Sequence, residues 1–164
     1  MAKSPTPKSR KKITAKRHVT TPISTECLDA AFVRADLVFD GVDHSGPSFE
    51  ARIFINNPNV DAATELTPQN RYAGRFHIFG HGGCFGDVGH CEVRGVPRPY
   101  DPRPAHPLTP IRKVVIATDA LRREIKRSTQ GLTLTIVPIV RSGTERCDYE
   151  NVLKFERVSV VTYA

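Results

Sequence analysis

The sequence predicts an all-β fold, an antiparallel, jelly-roll-like β-sandwich of about seven strands with one short helix, preceded by a disordered basic N-terminal arm. Three observations carry this. Short segments alternate apolar and polar residues with a period of two. Gly, Pro, Asn and Asp clusters separate them at strand-like spacing. One segment only, 118–127, has helical spacing instead.

The arm spans residues 1–24 and the sandwich residues 25–164. Residues 1–20 hold Lys3, Lys8, Arg10, Lys11, Lys12, Lys16 and Arg17 and no acid, so they carry the whole formal net charge of +7. Beyond them basic and acidic side chains balance. An arm rich in Lys, Pro, Ser and Thr buries too little apolar surface to order itself. Its first reading is a solubilising extension. Its second is an electrostatic contact for nucleic acid or an acidic partner through Lys8, Arg10, Lys11, Lys12, Lys16 and Arg17, without aromatic residues to stack on bases.

In the strand near 32–39, Val33, Ala35, Leu37 and Phe39 share one face and Arg34 and Asp36 the other. Asp40-Gly41 opens a turn region that Gly46-Pro47 closes. In the next, 48–55, Phe49, Ala51, Ile53 and Ile55 oppose Glu50 and Arg52, and Asn56-Asn57-Pro58 stops it. Residues 59–70 read as loop. Tyr72, Phe76 and Ile78 form the inner face of the strand 72–79, with Arg75 and His77 outward. A short strand is expected at 92–96. Six prolines between 97 and 110 make an extended connector, in which His106 reads as a solvated loop histidine. Residues 111–117 are a strand, after which Thr118 or Asp119 can cap the helix, with Leu121 and Ile125 on its inner face. The β-branched strand 132–140 contains Pro138, which predicts an edge position or a bulge. Residues 141–149 form a polar turn, and 152–163 a long closing strand.

Residues 72–91, YAGRFHIFGHGGCFGDVGHC, concentrate the chemistry: three of the six His and two of the four Cys. His77, His81, Cys84, His90 and Cys91 are candidate metal ligands, since soft thiolates with imidazoles suit copper(I), with zinc as the alternative. Their spacing matches no standard zinc module. A Cys84–Cys91 disulfide or inert thiols are the competing readings, with no cofactor at all. No apolar run is long enough to span a bilayer, and the N-terminus lacks the apolar core of a secretory signal. Both favour a cytoplasmic location without a membrane partner, where clustered Cys and His more often mean metal or redox chemistry than stapling.

Five blocks, SFEARIFINNP (48–58), RYAGRFHIFGH (71–81), VVIATDALRREI (114–125), LTIVPI (134–139) and VLKFERVSVVTY (152–163), occur in an order that resembles the C-terminal domain of polyphenol oxidases and tyrosinases. AGRF at 73–76 stands where plant members show AGSF, and the likeness runs over roughly residues 30–164. It implies a jelly-roll-like sandwich that packs over the di-copper site of an oxidase, often with one side chain at the entrance. Phe79 and Phe85 are the candidates for that side chain, because Phe76 lies on the core face. Some members also use cysteines to load copper, which would fall here to Cys84, His90 and Cys91. The catalytic helical domain with its six copper-binding His has no counterpart in this chain, so the chain reads as a free-standing, non-catalytic accessory to a tyrosinase-like copper oxidase. The other readings are a structural or oligomerisation module serving another protein subunit, and a nucleic-acid-binding arm. An independent enzyme has little support: there is no cupin H-x-H with a following Glu, no Ser-His-Asp set and no carboxylate pair.

Overall fold

The computed structural model describes residues 13–25, 28, 31–81, 100, 110–127, 131–140 and 150–164. Its elements are β1 (Ile13–Thr14), β2 (His18–Val19), β3 (Arg34–Val42), β4 (Phe49–Ile55), β5 (Tyr72–Ile78), β6 (Ile111–Ile116), α1 (Thr118–Arg127), β7 (Leu134–Val140) and β8 (Arg157–Tyr163). One sheet runs β5-β4-β7, with β1 and β2 in succession along the far side of β7; the other runs β6-β3-β8, and every pairing is antiparallel. The two pack face to face as an all-β sandwich. Among the described residues no helix is long and apolar enough to cross a membrane.

The alternation read from the sequence builds the interior, except that Val33 is exposed and Tyr72, beyond the shift at Gly74, packs on the outer side of its sheet. Ala35, Leu37 and Phe39 of β3 meet Phe49, Ala51, Ile53 and Ile55 of β4, Phe76 and Ile78 of β5, and Leu134, Ile136 and Val140 of β7. Phe39 sits at the middle, its ring 5.1 Å from Phe76 and 5.5 Å from Phe155. The inner side of α1, Ala120 and Leu121 with Ile125, closes one end. Burying a side chain of this size stabilises by about 1.5–3 kcal/mol, so this layer outweighs any surface ion pair. Gly74, at φ 143, lets the sheets approach: a Cβ there would lie 2.5 Å from Val115 Cγ1. The β4–β5 register shifts at this point, from Ile53↔Gly74 to Phe54↔Tyr72.

A second, smaller core lies on the outer side of the larger sheet. Residues 56–71, including the loop expected at 59–70, fold over it so that Val60, Ala62 and Leu66 pack on Phe54, Val137 and Ile139. β7 is therefore covered on both faces, which is why its sequence is apolar almost throughout rather than alternating. The chain enters and leaves this cover through two residues with positive φ, Asn56 (52°) and Arg71 (62°). Asn56 Oδ1 accepts from the amide and hydroxyl of Thr133 at 2.8 and 3.2 Å, and Arg71 donates to the Asn56 carbonyl.

Four local expectations change. The arm does not extend to residue 24: β1 and β2 pair with β7, and Ile23 bridges to Leu132. Pro138 is not on an edge strand. Its site is a bulge, because three residues (15–17) span the interval that on β7 holds only 137 and 138; the Lys16 amide turns away to the Glu150 carbonyl. A proline offers no N–H, so the flanking chain breaks into two short strands there. Asp40-Gly41 does not open a turn either. β3 continues to Val42 through an irregularity at Phe39/Val42, with Gly41 at φ 69 against Glu156. Finally, the Thr118 hydroxyl bonds the amide and carbonyl of Ala35, tying α1 to the start of β3 in addition to standing at the helix start.

The closing ladder begins at Arg157, while Leu153 and Phe155 reach the core from irregular chain. The expected strand 92–96, the prolines 97–109 and the turn 141–149 lie outside the described residues.

Candidate functional site

Two surfaces carry unusual side chains. The first is the end of β5. Gly80 passes directly against the backbone of Gly46 and Pro47, too close for any Cβ. Its amide donates to Ser48 Oγ at 3.0 Å, and the His81 amide donates to the His44 carbonyl at 3.1 Å. The segment 79–81 is thus clamped onto the β3–β4 connection. Phe79 projects from it 87% exposed, an apolar ring on a fixed backbone.

The same clamp brings two imidazoles together. His81 Nδ1 lies 3.3 Å from the His44 carbonyl oxygen, and the two ring centroids are 5.0 Å apart at 68°. Nearby, the Asp43 carboxylate feels burial that raises its pKa, but the hydroxyl and amide of Ser45, with Lys154 and His44 close by, outweigh it and hold it below the ordinary value. The sequence reading placed His44 in a turn and left it out; only the fold sets it beside His81. His77, by contrast, points outward from β5, opposite Glu50 on the neighbouring strand. Glu50 there faces Arg52 and Arg75 at 3.2 Å each. Among the described residues no group of three or more His, Cys, Asp and Glu is arranged to hold a metal. Cys84, His90, Cys91 and Phe85 lie outside the described residues.

The arm candidates divide. Lys16 and Arg17 belong to the segment beside β7, and Arg17 donates to the Val60 carbonyl at 3.2 Å. Lys8, Arg10, Lys11 and Lys12 lie outside the described residues.

The second surface is the outer face of the sheet β6-β3-β8, which sequence reasoning missed. Register places Val38 between Val114 and Ser159, and Asp36 between Ile116 and Val161, with Tyr163 beside Arg34. Ile116 is 62% exposed, and Val114, Val161 and Tyr163 are exposed as well. The signal was present: Val114-Val115-Ile116 and Val160-Val161 put apolar residues on both faces of their strands. One end of the face is closed by Arg34, which holds the buried Asp36 through two 2.8 Å bonds and lies over the Tyr163 ring at 5.4 Å. At the other end Arg112 (2.6 Å) and Arg157 (2.8 Å) converge on Asp40. Hydrogen bonds from Arg157 and then Arg112 lower the Asp40 pKa. Glu156 also acts on Arg157, so two guanidiniums and two carboxylates gather at that end.

No known family model matches this chain, and no curated protein does. Solved polyphenol oxidases are similar to it in backbone. One is a recombinantly expressed latent aurone synthase, 15% identical with a TM-score of 0.45 over 99% of this chain and 25% of its own. Another is latent aurone synthase from natural source, 12% identical with a TM-score of 0.48 over 93% of this chain and 26% of its own. The chain spans about a quarter of the length of those proteins.

Proposed function

We propose that this chain is a non-catalytic accessory sandwich that docks, by the outer face of β6-β3-β8, onto a di-copper oxidase of the tyrosinase class and covers its entrance. The observation that carries this is the exposed apolar strip Val114, Ile116, Val161 and Tyr163 on a sheet face. Contiguous exposed apolar surface of this kind marks an interaction site. The order of the five sequence blocks supports an oxidase as partner. Phe79, exposed on the separate surface at the end of β5, is the candidate for a side chain that enters an opening. Copper supply is a separable part of this reading, resting on the Cys84, His90 and Cys91 segment.

The test uses the helical catalytic domain of a polyphenol oxidase prepared without its C-terminal domain. The wild-type chain binds it and slows phenol oxidation. Ile116→Lys with Val161→Asp weakens binding by at least about ten-fold, as expected when the apolar centre of an interface is broken, while circular dichroism stays that of the wild type. Equal binding by the folded double variant, or self-association through this face without oxidase binding, overturns the proposal.

A further inference from the structure

We propose that Arg34 anchors the docking face β6-β3-β8, holding Asp36 with one edge of its guanidinium and taking a main-chain carbonyl of the partner on the other. The inference rests on the docking reading above and adds the polar group that this face recognises. Nε and Nη2 of Arg34 donate to Oδ1 and Oδ2 of Asp36 at 2.8 Å each. A guanidinium has five N–H donors in one plane. Two are engaged by Asp36, and the Nη1 group has no partner among the described residues.

The arrangement is in place before a partner arrives. The fork to Asp36 and the Tyr163 ring, whose centroid lies 5.4 Å from the guanidinium carbon, hold the guanidinium in one plane. Docking therefore orders little that is not already ordered. The Asp36 side chain is 1% exposed, so its carboxylate lost its water when the chain folded, whereas Arg34 keeps 49% of its side chain in solvent. Ile116 and Val161 flank Asp36, and Tyr163 stands opposite Arg34. Arginine and tyrosine among apolar neighbours that exclude water are the side chains on which binding energy concentrates. The choice of acceptor follows from charge. Arg34 and Asp36 cancel, so a second carboxylate would leave a net negative charge in a dry interface, at a desolvation cost. A neutral carbonyl satisfies Nη1 without that cost.

The test again uses the helical catalytic domain of a polyphenol oxidase prepared without its C-terminal domain, titrated with the full chain. Arg34→Met with Asp36→Val replaces the ion pair by apolar side chains, a change that folded proteins tolerate; circular dichroism and urea unfolding establish that it is folded. If the apolar strip alone drove docking, this more apolar face would bind at least as tightly as the wild type. The anchor predicts binding weaker by at least about ten-fold. Arg34→Lys keeps the charge over Asp36 but lacks the fork, and weakens binding by about five-fold or more. The ratio of wild-type to double-variant affinity stays constant between about 0.05 M and 1 M salt, whereas a carboxylate acceptor would make it fall. A falling ratio overturns the neutral acceptor. Wild-type affinity in the double variant, with Ile116→Lys/Val161→Asp still impaired, overturns the anchor and leaves the docking face standing. A wild-type chain that does not bind overturns both.

Discussion

The Nδ2 amide of Asn56 lies 3.4 Å from Oε2 of Glu124, joining the turn after β4 to the inner side of α1 across 68 residues of chain. Glu124 is buried and also pairs with Arg127 at 3.0 Å and Arg71 at 3.7 Å. Asn56 simultaneously holds Thr133. Asn56→Ala removes these bonds and puts a Cβ-bearing residue without a polar side chain at positive φ. It is expected to cost about 2 kcal/mol or more, and Asn56→Gly less than Asn56→Ala. Asn56→Asp keeps the acceptor but sets a second carboxylate against Glu124. Glu124→Gln in that background restores roughly 1 kcal/mol, which a double-mutant cycle by urea unfolding measures.

Gly74 and Val115 set the spacing of the two sheets. Gly74→Ala lowers stability by roughly 1–3 kcal/mol through overpacking and its positive φ. Val115→Ala added to it recovers part of that loss, although Val115→Ala alone destabilises. Thermal melts of the three variants check the sign reversal.

Thr135 is buried on the outer side of β7, and its hydroxyl has no hydrogen-bond partner among the described residues. A buried unsatisfied hydroxyl is a standing cost that an isosteric methyl removes. Thr135→Val is expected to raise stability by roughly 1 kcal/mol, read as a higher urea midpoint with an unchanged slope.

Asp40 has a depressed pKa in the folded chain because Arg157 and Arg112 hydrogen-bond its charged form. Its contribution to stability is therefore fully present above the unfolded value, about 3.9, and is lost as pH falls through the lower folded value. Carbon NMR titration of the Asp40 carboxyl finds its midpoint below the ordinary range. Arg157→Gln moves that midpoint upward, and more than Arg112→Gln does.

Phe79 can change without harm to the fold, since it is 87% exposed. Phe79→Ser keeps the melting free energy within about 0.5 kcal/mol. On the docking proposal it releases inhibition of the bound oxidase without abolishing binding. Activity and binding measured on the same samples separate the two effects.

The layer structure was legible because a period of two has one meaning when one face is buried. Ala35, Leu37 and Phe39, like Phe49, Ala51, Ile53 and Ile55, fell on the core face as alternation requires, and the helix lay where Leu121 and Ile125 fall four apart. Local signals misled where a distant partner outweighed them. Asp40-Gly41 reads as a turn, but Arg112 and Arg157 bind Asp40 and keep the chain extended. Pro138 reads as an edge or a bulge, and of the two the structure takes the bulge, in the neighbouring strand. The basic composition of residues 1–24 reads as an unstructured arm, although backbone pairing with β7 depends on N–H and C=O groups that every residue type but proline supplies. Tertiary structure alone decided where the histidines meet and what the second sheet can do. His44 and His81 are 37 residues apart, and their meeting depends on Gly80 lying flush against Gly46 and Pro47. Likewise, whether the second apolar face of β6 and β8 is buried or open depends on which element covers it, a long-range choice that no local pattern encodes.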